Sequence, residues 1–232
     1  MKMKFYLLFI GLIVGSGPLF SQEEFNQTDK EGRRHGVWKK YYPDSKQLRY
    51  EGKFVHGKEV GEFRFYCETC KDQPNAVLKY KERDPLVEVR YFSEKGKLIS
   101  QGKLKDQVRE GEWIFYHPNS DQVMTREFYV NGKLDGRVTT YYPNGKKTEE
   151  TDYKNGIREG ENNFYSEEGV KIKELLYKNG ELHGPGKYFD GHGQVIIEGD
   201  YKDGRKHGLW KYYENGKVIL EEKYPKEYQD RK

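Results

Sequence analysis

A chain of 232 residues is long enough for one or two domains. Its 34% apolar and 34% charged residues would alone hint at disorder, but 20 Tyr and 12 Phe stand in for the missing Leu and Val, because rings bury large areas and favour strands. The 42 basic and 38 acidic residues leave +4 and are interspersed, which excludes a basic stripe for nucleic acid and makes the charge a matter of solubility.

The chain opens with Lys2 and Lys4, an apolar run from Phe5 to Val14, small residues and Pro18. This is the layout of a secretory signal peptide over residues 1–21, too short to span a bilayer comfortably. No Cys precedes Cys67, so a lipid-modified N-terminus is not available. Cleavage after Ser21 leaves 40 basic and 38 acidic residues, or +2. The expectation is an exported protein, periplasmic or secreted into the cell envelope. A repeat domain then covers 28–225, and a charged tail covers 226–232.

The repeat shows first as a glycine ahead of each strand: Gly36, Gly61, Gly111, Gly136, Gly160, Gly184 and Gly208. The double gap between Gly61 and Gly111 holds a degenerate unit in which VEVRYF (Val87–Phe92) aligns with GEFRFY (Gly61–Tyr66). Eight units of 24 to 26 residues result, a period that marks an array packed neighbour on neighbour. An aromatic pair closes the first strand of every unit, from Tyr41-Tyr42 to Tyr212-Tyr213. Two residues past the anchor glycine stands the expected repeat core, with Trp38, Phe63, Trp113 and Trp210 its largest members. Asn162 and Gly186 occupy that place in two later units, where the core is expected to weaken.

Turns follow the same period. Asn or Asp precedes Gly132, Gly145, Gly156, Gly180, Gly204 and Gly216, a dipeptide that tolerates the positive φ of tight hairpin turns. The pairs at Gly145 and Gly216 split their units into two strands, and the other four join one unit to the next. The pattern predicts an all-β, elongated, single-layer antiparallel array of β-hairpins. Adjacent ring residues point to opposite faces of a strand. The second rings, Tyr116, Tyr142, Tyr165 and Tyr213, are therefore expected to face away from the Trp side and to offer an interaction strip. Glu150, Glu174, Glu198 and Glu222 are expected to face strand-one lysines as a cross-strand charge ladder.

One local oddity is CETC, where a turn belongs in the second unit. In an exported chain Cys67 and Cys70 are expected to close that turn as a disulfide; a redox C-x-x-C would need a strand-to-helix setting. His35, His183 and His207 each precede an anchor glycine and His56 precedes Gly57, a recurring turn position rather than a ligand set. With no second Cys pair, nucleophile elbow, P-loop or H-E-x-x-H, the expectation is no metal, no cofactor and no catalysis.

The pattern G-x-W-x-x-Y-Y-x-N-G-K, clearest in GLWKYYENGK (Gly208–Lys217) and GRVTTYYPNGK (Gly136–Lys146), resembles the MORN repeat. The tails NGKLDG and NGELHG fit as well. It resembles more closely the bacterial variant in proteins labelled antitoxin components of the YwqK family. The resemblance implies a twisted single-layer sheet used for contacts with proteins, with itself or with membranes, and it brings no catalytic residues. The functional expectation is an exported, non-catalytic scaffold that binds a protein partner or a second copy. The alternatives are an envelope glycan or cell-wall polymer binder and a toxin-neutralising partner.

Overall fold

A computed structural model of the chain describes residues 24–70 and 73–226. The expected signal peptide, 1–21, and the tail beyond residue 226 lie outside the described residues. Among the described residues there is no helix. The chain forms eight hairpins, whose first strands are Arg34–Tyr41, Lys58–Phe65, Leu86–Phe92, Val108–Tyr116, Gly136–Tyr141, Ile157–Tyr165, Gly184–Phe189 and Arg205–Glu214. Their second strands are Leu48–Val55, Ala76–Tyr80, Leu98–Lys105, Val123–Val130, Lys147–Lys154, Lys171–Lys178, Val195–Lys202 and Lys217–Tyr224. Short strands at Gln27–Thr28, Lys133–Leu134 and Glu181–Leu182 complete a single antiparallel sheet in which each strand pairs with its chain neighbours. Sixteen strands about 4.8 Å apart extend about 70 Å, against about 27 Å along an eight-residue strand.

Glycine decides where this sheet bends. Gly61, Gly111, Gly160 and Gly208 have φ of +72°, +68°, +111° and +67°. The facing strand slips register at each of them, between Glu51 and Lys53, Gln101 and Lys103, Thr151 and Tyr153, and Glu198 and Asp200. A left-handed residue of this kind makes a bulge that only Gly adopts without cost. The degenerate unit tests the rule. Val87 stands at the anchor position, and Ala76–Lys79 pairs with Glu88–Tyr91 without a slip.

A second slip ends every first strand except that of the second hairpin, where Gly61–Phe65 pairs with Ala76–Tyr80 without a shift. It falls between the two rings of the pair in most units, as at Phe115/Tyr116, Phe164/Tyr165 and Tyr212/Tyr213. In GVWKKYY and GRVTTYY one more residue separates core position and pair, so the slip falls earlier, at Lys40/Tyr41 and Thr140/Tyr141. This corrects one site residue. Tyr141, not Tyr142, is the structural equivalent of Tyr116, Tyr165 and Tyr213. Tyr142 has entered the turn, where its N–H bonds to the carbonyl of Lys146.

The core is a row of contacts between units. Six core residues face the residue eleven positions earlier, on the second strand of the preceding unit, and the two sizes are complementary. Phe63, Trp113 and Trp210 lie over Gly52, Gly102 and Gly199, where an added Cβ would fall inside the ring's contact distance. Leu78 meets Val89, and Leu175 reaches over Gly186, whose space Tyr201 also fills. Thr151 meets Asn162. The weakening expected at Asn162 and Gly186 is therefore answered by larger neighbours and by hydrogen bonds. Asn162 is buried and its amide nitrogen donates to Thr151 Oγ1 and Glu149 Oε1, both at 2.7 Å.

Candidate interaction surfaces

The face that carries the Trp residues is closed by its own side chains. Phe63, Trp113 and Trp210 are buried, and Trp38 is half-buried, with the two-residue strand Gln27–Thr28 beyond it among the described residues. Trp38, Phe54, Phe63 and Tyr80 meet edge to face in sequence, as do Tyr201, Trp210 and Tyr224. Each Trp indole N–H donates to a backbone carbonyl, of Gln27, Lys103 or Asp200. A cation two residues before the anchor glycine then covers the rings. Arg34 lies 4.9 Å from Trp38, Arg109 4.6 Å from Trp113 and Lys206 4.1 Å from Trp210, while Arg158 covers Tyr177. Such contacts are attractive to aromatic faces, and they leave little bare ring for a ligand.

The opposite face carries the polar ends of the second rings. Tyr66, Tyr165 and Tyr213 donate their hydroxyls to Glu51, Glu150 and Glu198 at 3.0, 2.7 and 2.6 Å, and Gln101 donates to the Tyr116 hydroxyl at 2.8 Å. All four pairs are fifteen residues apart and join neighbouring units. Burial, and then the adjacent Glu150 carboxylate, push Tyr165 up to about 12. Tyr142 instead donates to the Tyr165 carbonyl, a turn-to-turn tie that Tyr42 repeats with Tyr66.

The expected charge ladder holds at some rungs only. Glu198 faces both Lys187 and Lys211, and Glu51 faces Lys39 and Arg64. Glu222 faces Trp210 and accepts from Tyr212 and Tyr224, because one residue fewer separates Trp210 from its turn glycine Gly216 than separates Asn162 from Gly169 or Gly186 from Gly193, and the register shifts by one. Its neighbour Glu221 takes the place opposite Lys211. Units two to four also enclose an open groove of about 660 Å³ on this face, with Val77 and Ile114 among charged side chains of both signs.

Three further places complete the surface. Cys67 and Cys70 are joined as a disulfide across the turn of the second hairpin. The turn glycines Gly132, Gly145, Gly156, Gly180, Gly204 and Gly216 all have positive φ. Their preceding residues share it except Asn144, so the Pro143-Asn144-Gly145 turn differs from the mirror-image turn that its dipeptide suggests. At the sheet's ends, Gln27–Thr28 covers the first hairpin, while among the described residues Lys217–Tyr224 pairs on one side only. On that open strand Val218, Ile219 and Leu220 are 46%, 62% and 49% exposed.

The histidines are not all isolated. The structure brings His35 and His56, read from the sequence as separate turn residues, to a ring separation of 5.1 Å beside Asp29. Residues one full strand pair apart become neighbours when a hairpin closes, and a comparison of turn positions between consecutive units would have found the pair.

Four segments, residues 34–56, 134–155, 182–203 and 206–224, match the MORN repeat variant family. They coincide with the first, fifth, seventh and eighth hairpins or the turns that join them. No curated protein matches the chain. A repeat of this kind builds a scaffold for contacts.

Proposed function

We propose that this chain, a MORN-repeat-variant protein, is an exported, non-catalytic scaffold that binds a protein partner, a second copy included, by adding a strand to its open edge. The observation that carries this reading is the strand Lys217–Tyr224, which has no partner on its outer side among the described residues and exposes three consecutive aliphatic residues. Unpaired edges recruit other strands, and proteins that avoid this keep such edges short, charged or covered. The opposite end of the sheet is covered in that way by Gln27–Thr28. Sugar binding draws less support, because the three Trp rings, the broadest faces for stacking on a sugar, are buried or overlaid by Arg34, Arg109 and Lys206. The tyrosines Tyr116, Tyr165 and Tyr213 can add a rim to the contact, with their hydroxyls already engaged.

Export rests on the sequence of residues 1–21, and the Cys67–Cys70 bridge suits an oxidising compartment. The test of the scaffold reading is the double variant Ile219→Lys, Leu220→Lys in the mature chain. Its β-sheet circular dichroism should match the parent while self-association in light scattering, or capture of envelope proteins, is lost. A folded variant that associates as before would remove the edge from the reading.

A further inference from the structure

We propose that Asp29, His35 and His56 form a site for a divalent transition metal of the zinc class, clamping the N-terminal end of the sheet. Their ligand atoms all lie within 4.8 Å of one another. In a tetrahedral zinc site, bonds of about 2.0–2.2 Å place ligand atoms about 3.3–3.5 Å apart, so small side-chain rotations complete the set. Two imidazoles and one carboxylate suit zinc better than magnesium or calcium, which prefer all-oxygen shells. The outward side of both exposed histidines leaves the fourth position to water.

The repeat itself shows that these residues are a departure. At the corresponding turns the residue before glycine is Asn131, Asn155, Asn179 or Asp203, with φ between 48° and 51°. One residue before the anchor glycine, Glu110, Asp135 and Glu159 accept hydrogen bonds from the backbone N–H of Asn131, Asn155 and Asn179, at 2.8, 3.1 and 2.6 Å. In the first unit both members of this turn clasp are histidine. His56 also holds a φ of 49°, a left-handed conformation that Asn tolerates better. Strained residues of this kind gather at functional sites.

Asp29 is set up as a ligand. Its Oδ1 accepts from the backbone N–H of Glu31 and Arg33 at 3.1 and 2.9 Å, which fixes the carboxylate and turns Oδ2 toward His56 Nδ1 at 2.8 Å. Such support behind a ligand is what fixes its orientation in metal sites. Arg33 stands on the same lone pairs, with Nε 2.8 Å from Oδ2 and Nη2 3.0 Å from Nδ1. The guanidinium is thus the cation that the cluster holds, and a metal would displace it toward Glu31, already 2.9 Å away. The three ligands come from the N-terminal turn, the first strand and the turn after the first hairpin, so one ion would tie all three.

The test is a zinc titration of the tag-free mature chain by calorimetry, with melting followed in zinc and in chelator. The parent should bind one zinc per chain at this site and melt higher in zinc. His56→Asn restores the residue that other turns carry, so it should fold as well as the parent and weaken binding by about tenfold or more. His183→Ala, distant from the cluster, should bind as the parent does. Arg33→Ala should tighten binding by removing the competing cation. Undiminished binding in His56→Asn, or a parent whose melting ignores zinc, would overturn the proposal, whatever becomes of the open-edge reading.

Discussion

Replacing Gly102 by Ala tests the size matching between units most directly. A Cβ at this position would lie 2.5 Å from both Cδ2 and Cε2 of Trp113 and 2.7 Å from its Cγ. Carbon atoms settle at about 3.5–4.0 Å, so ring and backbone must part by about 1 Å. They cannot part freely, because Gln101 and Ile114 pair across the same two strands. The φ of Gly102 is not left-handed, so the cost is steric alone, about 1–3 kcal/mol for an overpacked core. Trp113→Val alone should cost about 3 kcal/mol by leaving a cavity. Together the two changes recreate the kind of junction that Leu78 and Val89 already make, and should cost at least about 1 kcal/mol less than their sum. Gly111→Ala is the control: nothing lies within 4 Å of its Cβ, but its φ of +68° makes Ala cost about 1–2 kcal/mol, which Trp113→Val cannot relieve. Urea unfolding followed by far-ultraviolet dichroism measures the parent, the three single variants and the two double variants, with equal m-values as the check that one transition is compared. Strict additivity of Gly102→Ala and Trp113→Val, or a Gly102→Ala cost below about 0.5 kcal/mol, would refute the matching argument.

The same matching predicts which deletions the array accepts. Removing residues 55–104 brings Gly52 against Trp113 and should leave a cooperative sheet, whereas removing 179–202 brings Leu175 against Trp210 and should lower the melting temperature or solubility; equal behaviour would count against it. Tyr165 gives a pH test, because its hydroxyl must stay protonated to donate to Glu150. An unfolded tyrosine ionises near 10 and this one at about 12, so the stabilisation is complete below 10 and declines as pH rises toward 12. Tyr165→Phe should flatten stability over that interval, and an unchanged profile would show that the pair does not matter.

Much of the fold was legible because period and turn chemistry are local. Eight hairpins, their joining turns and the ring positions all follow from residues a few places apart. The anchor glycines show why bulges were not anticipated: a glycine before a strand reads as a turn, and its left-handed φ is visible only against the slipped partner strand. Tyr142 was misplaced for a related reason. An additional residue in GRVTTYY is absorbed by a slip at Thr140/Tyr141, which no count along one strand reveals. The glycine-to-ring junctions were written in the sequence at a constant spacing of eleven, between Gly52 and Phe63, Gly102 and Trp113, and Gly199 and Trp210. They escaped notice because each pair straddles two units, while attention to repeats aligns a unit with its copies and not with its neighbour. The His35–His56 approach was hidden in the same way.

The cation-covered ring row also has a calorimetric consequence. Only nine apolar side chains are buried among the described residues, and much of the sheet's interior contact is between rings and cations or between hydroxyls and carboxylates. Heat capacity on unfolding grows with newly exposed apolar area and shrinks with polar area, giving about 12–15 cal/mol/K per residue in ordinary domains. A chain so poor in apolar burial falls below that range, and its stability curve is broad and shallow. Warming and cooling then act on it weakly over a wide span, so its marginal stability is spread across temperature instead of peaking near one optimum.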